Sequence, residues 1–335
     1  LSQTKILRAL DDVLFLVLPP LVANNVFFPY YMRVRFLSYL LLVNIHIIFF
    51  ANPIQSIRMW LPALFLLSTT LAAITVTTAF DPVTTGIALN ISQSTYCLPD
   101  TSVDSDAWNC ATCSSEVTFE TAHAAHGELV LFGYIAERGS LFVAYRGSSN
   151  IQNWIDNVQI RQESPYSDTS VGVEHGMYSL YASLRNDVLS TLDKLSSKYE
   201  TKHLLVTGHS LGGALATLTV FDMMFTNAPF IIDDLVTFGS PRVGNDRFSQ
   251  YFDNFDVRIA RVTHYYDMVP HVPETFLGYQ HVRGEVWFNE PSTSYVECDG
   301  NEDPTCSDSC SPVHCTSTSD HVMYMGLPMG SGGLC

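Results

Sequence analysis

The stretch LLVTGHSLGGALATL, from Leu204 to Leu218, changes secondary structure around a single serine. Residues 204–208 read as a short buried strand, and a helix of small residues begins just after Ser210. Gly208 and Gly212 stand two positions away on either side. A strand-to-helix turn this tight strains the backbone at its apex, and a side chain on either flank would collide with the chain. The strain lifts the serine hydroxyl above the sheet. The N-terminus of the next helix, with free N–H groups and positive partial charge, points at whatever reacts there. The pentapeptide fits the Gly-x-Ser-x-Gly nucleophile elbow. An ordinary strand–helix turn is the plainer reading. The apolar strand before it, and the helix-packing Gly213, Ala214 and Ala216 after it, favour the elbow.

Around this corner the chain alternates strands and helices. ELVLFGYIA and SLFVAYRG read as strands joined at Arg138-Gly139. From Met177, Leu180, Leu184, Val188, Leu192 and Leu195 recur at helical spacing. HLLVTG, DLVTFGSP, VRIARVTHY and HVRGEVWF are further strands, with a helix near 245–252. Residues 291–318 are rich in Ser, Cys and Asp and read as loop. This alternation predicts a mainly parallel sheet with helices on its faces.

Charge divides the 335 residues into two parts. The first 79 carry five Lys/Arg against two Asp/Glu, and the remaining 256 carry 12 against 31. So acidic a body is repelled by nucleic acid and by anionic membranes, though not by neutral lipid. Residues 59–79, MWLPALFLLSTTLAAITVTTA, have an apolar centre and a small-residue end, and read as a signal peptide cleaved after Ala79. Residues 1–58 then form an upstream extension. The alternative is a membrane anchor, since MRVRFLSYLLLVNIHIIFF at 32–50 is also basic and then apolar, though short for a span. Eight cysteines, all beyond residue 79, predict disulfides in an oxidising compartment. Cys110-x-x-Cys113 and the later cluster also have the spacing of zinc ligands, which is the competing reading.

A serine hydroxyl needs a base, itself held by an acid, and on this architecture the acid and then the histidine follow the serine. Asp267, in THYYDMVPHVPE, comes just after a strand. His264, His271, His281, His314 and His321 all lie beyond Ser210, and spacing alone leaves the choice open, with a modest lean to His321.

VAYRGSSNIQNWIDN, VTGHSLGGALATL, FGSPRVGN, YYDMVPHVP, QHVRGEVWF and SDHVMYMG occur in the order found in the secreted fungal-type class 3 lipases. The chain resembles that family from about Phe80 to Cys335. The resemblance implies an α/β-hydrolase fold, with a central mainly parallel sheet, helices on both faces and a short helical lid. It also implies a serine carboxylic ester hydrolase with no cofactor and no metal. The family's nucleophile falls on Ser210, its acid on Asp267 and its base on His321. The oxyanion hole falls on Ser148 and the N–H of Leu211. The same resemblance suggests disulfides Cys97–Cys335 and Cys110–Cys113. Of the three connectivities left, Cys298–Cys306 with Cys310–Cys315 is preferred.

The implied function is a secreted triacylglycerol lipase, a monomer whose partner is lipid ester at an oil–water interface, with no nucleic acid. A feruloyl esterase or phospholipase A1 on the same scaffold is the near alternative. A non-catalytic protein anchored in the membrane is the remote one. In NIQNWIDNV, residues Ile151, Trp154, Ile155 and Val158 line one face of a short helix. Periodicity alone would bury that face in the core; its place beside the oxyanion residue makes it a lid. Asn90-Ile91-Ser92 is a glycosylation triplet.

Overall fold

The centre of the fold is set by strands that are apolar on both faces, as a sheet covered on both sides requires. A computed structural model of the protein describes residues 80–335 except 100, 102, 105–106, 149, 152, 155–159, 311–313 and 331–334. The signal peptide and upstream extension expected at 1–79 lie outside the described residues. No helix among the described residues is long and apolar enough to cross a membrane, and the segment weighed as an anchor lies outside them.

The sheet strands in chain order are β1 (Val103–Asp104), β2 (Val117–Ala125), β3 (Glu128–Ile135), β4 (Ser140–Tyr145), β7 (His203–His209), β8 (Ile231–Phe238), β9 (Arg258–His264), β10 (Glu285–Phe288) and β11 (Tyr295–Glu297). A separate small ladder pairs β5 (Gln162–Glu163) with β6 (Val173–Glu174). The nine sheet strands lie side by side in the order β1-β2-β3-β4-β7-β8-β9-β10-β11. The centre, β4 through β10, is parallel. Antiparallel strands flank it on both sides.

The helices are α1 (Pro82–Ser94), α2 (His175–Tyr199), α3 (Leu211–Phe225), α4 (Asp246–Phe252) and the short α5 (Thr318–His321), followed by the β12 (Met323–Tyr324) and β13 (Leu327–Pro328) ladder. Alternate strand residues go to opposite sides. Leu141, Val143 and Tyr145 of β4 and Leu204 and Val206 of β7 join Leu184, Val188 and Leu192 of α2, Leu215 of α3 and Phe248 of α4 in one core. Phe142, Ala144 and Leu205 face the other side, with Ala88, Leu89 and Ile91 of α1. Each such fully buried large side chain contributes about 1.5–3 kcal/mol. Between the sheet and its neighbouring helices, α3 is buried nearly all round, so its small residues and lack of a polar face are required.

Four elements depart from the sequence reading. Helix α1 was not anticipated. Asp81 caps it by accepting from the Val83 N–H, and Pro82 opens it with a preset φ. Strand β2, VTFETAHAA, has only a weak burial alternation, so periodicity does not reveal it. The segment read as loop at 291–318 contains β11, whose three residues are all exposed at the sheet edge. HVRGEVWF becomes strand only from Glu285, because Gly284 turns through a positive φ of 87°.

Both disulfides suggested by the resemblance, Cys97–Cys335 and Cys110–Cys113, are present, as is the preferred pairing of the other four cysteines, Cys298–Cys306 with Cys310–Cys315. Every cysteine sulfur is therefore bonded, and none offers a zinc-binding thiolate. Cys97–Cys335 closes a separation of 238 residues, which on the chain-entropy account is worth about 5 kcal/mol. Replacing both with serine should lower the melting temperature by about 10 °C or more in a thermal unfolding scan. An unchanged melting temperature would mean that the bridge does not restrain the unfolded chain.

Candidate active site

Three strand ends meet at one point above the carboxyl edge of the sheet, where open α/β sheets place their sites. β7 ends at His209, and Ser210 follows with φ 58° and ψ −130° before α3 begins. A non-glycine residue here carries about 1–3 kcal/mol of strain, sustained only by firm surroundings. Those surroundings leave no room for side chains on the flanks. A Cβ on Gly208 would overlap the Gly212 carbonyl, and one on Gly212 would overlap the carbonyl oxygen of Tyr145. The Ser210 N–H donates to the Phe238 carbonyl at 2.8 Å, fixing the turn to the neighbouring strand. Its hydroxyl is free for other work: Ser210 Oγ is buried and has no hydrogen-bond partner among the described residues. It does not cap α3 either.

β9 delivers the acid. Asp267 lies three residues beyond it and is almost fully buried. Its Oδ1 accepts the Val269 N–H at 2.8 Å, and its Oδ2 accepts the Tyr324 hydroxyl. Both oxygens also face His321 Nδ1, at 3.0 and 2.8 Å. Donation from Nδ1–H fixes the imidazole so that Nε2 carries the lone pair. That nitrogen, like Ser210 Oγ, is buried without a partner among the described residues. The acid and base loops are stitched together by the Ser317 N–H to the Tyr266 carbonyl and the Met268 N–H to the Ser317 carbonyl, at 3.2 and 3.4 Å.

The competing histidines are engaged elsewhere. His281 Nε2 is 2.7 Å from the Pro270 carbonyl, and the two ring nitrogens of His264 face the carbonyls of Asp320 and Glu290. His314 is exposed. His271 is buried on the 3₁₀ turn Val269–His271. Burial and the Arg242 guanidinium push its pKa down, and Asp267 bonds to His321 instead.

β4 brings the third end. After Tyr145 the chain runs through Arg146 and Gly147 to Ser148, and a Cβ on Gly147 would lie 2.9 Å from Ser210 Cβ. Ser148 is thus one residue from the contact with the nucleophile candidate, and Leu211 is the residue after it. The Ser148 hydroxyl presently donates to the Asn150 carbonyl at 3.3 Å. Asn150 caps a helical start: its Oδ1 accepts from the Asn153 N–H at 3.0 Å, and its carbonyl accepts from the Trp154 N–H at 3.0 Å. Ile151 and Trp154 are half-buried, and Trp154 packs against the core on the α2–α3 side. Ile155 and Val158 lie outside the described residues.

Two further residues, His209 and Tyr96, escaped the sequence reading. The Tyr96 hydroxyl is 2.6 Å from His209 Nδ1, and His209 Nε2 is 2.8 Å from the His321 carbonyl oxygen. The two histidine rings lie 4.6 Å apart. Burial, reinforced by nearby His321, holds the His209 pKa well below its usual value. The neutral ring therefore accepts the phenolic proton at Nδ1 and donates from Nε2. The Tyr96 oxygen in turn accepts the Gly147 N–H, and burial raises the phenol's pKa. One phenol thus links the strand end before Ser148, the residue before Ser210 and the loop of His321. His209 was visible inside the elbow pentapeptide. Nothing in the sequence pairs it with a tyrosine 113 positions away.

The lipase (class 3) family matches this chain over residues 142–277. A secreted mono- and diacylglycerol lipase of Fusarium solani is 30% identical over 233 residues, covering 65% of this chain and 69% of its own. A lipase of Rhizomucor miehei is 28% identical over 253 residues, covering 73% and 68%. A solved Rhizomucor miehei lipase in complex with its propeptide superposes with a TM-score of 0.67 at 26% identity, covering 74% of this chain and 81% of that one. With its elbow, its sheet order and these relatives, the chain belongs to the class 3 lipase family.

Proposed function

We propose that the protein is an exported lipase that cleaves glycerolipid esters through an acyl-enzyme on Ser210. The observation that carries this reading is the buried Asp267–His321 hydrogen bond beside a serine on a strained, glycine-walled turn. Ser210 Oγ attacks the ester carbonyl while His321 Nε2 takes its proton. His321 then returns that proton to the departing alcohol, and water releases the fatty acid by the same steps in reverse. Asp267 orients the imidazole and stabilises its charged form. Because burial keeps His209 neutral, the imidazolium on His321 meets no second cation on the neighbouring ring 4.6 Å away.

The negative charge on the tetrahedral intermediate is held by the N–H groups of Ser148 and Leu211, with the Ser148 hydroxyl turning to it from its long bond to Asn150. Losing one such donor costs about 3–4 kcal/mol of barrier. Ile151 and Trp154 belong to the underside of the lid. In water this face turns inward, and at an oil surface it gains an apolar partner, which lowers the cost of opening. A helix this short has little stability alone.

Ser210→Ala should abolish hydrolysis with the fold intact, and His321→Ala should be nearly as severe, each by roughly 10⁴-fold or more in kcat. Near-native turnover in His321→Ala, with loss in His271→Ala, would move the base to His271. Triglyceride, diglyceride, phospholipid and methyl ferulate assayed side by side decide the substrate class; exclusive action on the ferulate would overturn the lipase reading.

Activity on a short-chain triglyceride should rise sharply once the substrate passes its solubility limit. Trp154→Ala should cost more on emulsion than on dissolved ester, and smooth saturation with equal losses would remove the lid from the mechanism.

Tyr96→Phe leaves His209 Nδ1 buried without its donor. We expect kcat to fall about tenfold, equivalent to about 1.4 kcal/mol, with KM for a dissolved ester unchanged. An unaltered kcat would reduce Tyr96 to a packing residue.

A further inference from the structure

Asn90 stands in the only Asn-x-Ser/Thr triplet of the 335-residue sequence, and we propose that it carries an N-linked glycan whose first N-acetylhexosamine packs over Trp108. Three requirements meet at this residue. The first is the compartment. All eight cysteines are joined in disulfides, which places maturation in an oxidising secretory lumen. The second is access. On α1, Val83 is exposed and Gly86, Ile87 and Asn90 are half-buried, while Ala88, Leu89, Ile91 and Ser92 face the core. A Cβ on Gly86 would meet nothing within 4 Å, so the surface one turn before Asn90 is open.

The third requirement is timing. The transferring enzyme needs the hydroxyl of Ser92, and in the folded protein that hydroxyl is completely buried, 2.9 Å from Thr207 Oγ1. Thr207 comes 115 residues later in the chain. The triplet therefore enters the lumen well before the strand that hides it, and modification precedes folding. In the transfer, Asn90 Nδ2 loses a proton and bonds to the anomeric carbon of a lipid-diphosphate-linked oligosaccharide. The bond from that carbon to the diphosphate oxygen breaks, and the lipid diphosphate leaves.

Asn90 itself borders a shallow hollow, partly open to solvent, whose walls include Ile87, Trp108, Ser114 and Glu116. Trp108 is half-buried and stacks on Phe119 at 5.2 Å between ring centroids. Its indole N–H is taken by the Ser114 carbonyl at 3.2 Å, so the ring offers an apolar surface rather than a polar edge. Pyranose rings present a C–H face suited to such a surface, and Glu116 and Ser114 supply polar partners for the acetamido group.

The test uses the full chain secreted from a eukaryotic host and mapped by mass spectrometry after amidase deglycosylation in heavy-oxygen water. Asn90 should convert to heavy-labelled aspartate, and Asn90→Gln should remove the entire glycan mass. Release from the native protein should run about tenfold slower than from denatured protein, because the amidase must wait for the sugar to leave its hollow. Trp108→Ala should restore rapid native release. An unmodified Asn90 peptide in secreted, disulfide-bonded protein would refute the modification. Equal release rates in native and denatured protein would refute the packing on Trp108.

Discussion

The close approach of backbone to backbone at Gly208, Gly212 and Tyr145 is the constraint on which the rest depends. Helix α3 can begin immediately after β7 only because no Cβ separates Gly212 from the Tyr145 carbonyl. That contact holds Ser210 at a positive φ, a conformation the residue would leave if the surroundings relaxed. The stabilisation comes from elsewhere: a sheet buried on both faces and a central helix buried nearly all round. Hydrophobic burial over many side chains thus sustains a few kcal/mol of local strain.

A second layer converts that rigid corner into a reactive one. Asp267 is buried, but its oxygens receive the Val269 N–H, the Tyr324 hydroxyl and His321, so its desolvation is compensated by hydrogen bonds. Gly239 keeps this cluster close. It sits at φ 57°, and a Cβ there would overlap the Asp267 carboxylate and the His321 ring. Ser210 Oγ and His321 Nε2 are among the buried polar atoms without a hydrogen-bond partner in the described residues, and they are the two that belong to this cluster. Unpaired polar atoms within such a cluster are expected where a substrate is to supply the partner.

The acidic, disulfide-closed loop after β11 supports the acid from behind. Glu302, between Cys298 and Cys306, accepts two hydrogen bonds from buried Arg242, at 2.9 and 2.8 Å. Arg242 also donates to the carbonyls of His271 and Pro273, at 2.7 and 3.2 Å, on the chain just beyond Asp267. Breaking one partner of such a pair leaves an uncompensated buried charge, so the loop and the arginine have to be retained together. Cys310–Cys315 then restrains the approach to α5, which carries His321. The region that reads as featureless Ser/Cys/Asp loop is therefore part of the frame of the site.

The sequence by itself determined the strand–serine–helix corner, because steric exclusion there is local and only glycine satisfies it. It also determined the two-sided burial of the central strands, the helical face from Met177 to Leu195 and the chain order of a serine, then an acid, then a later histidine. Two outer strands were not legible: β11 is exposed throughout and β2 alternates weakly, so neither leaves a hydrophobic period. Helix α1 escaped because its signal is a cap and a proline rather than a strong apolar stripe. Only the tertiary structure decided which histidine faces Asp267, and that Tyr96 and His209 tie the three strand ends together. Those contacts join residues 54 and 113 positions apart. They are fixed by how the sheet order brings strand ends together, a geometry that no periodicity along the chain encodes.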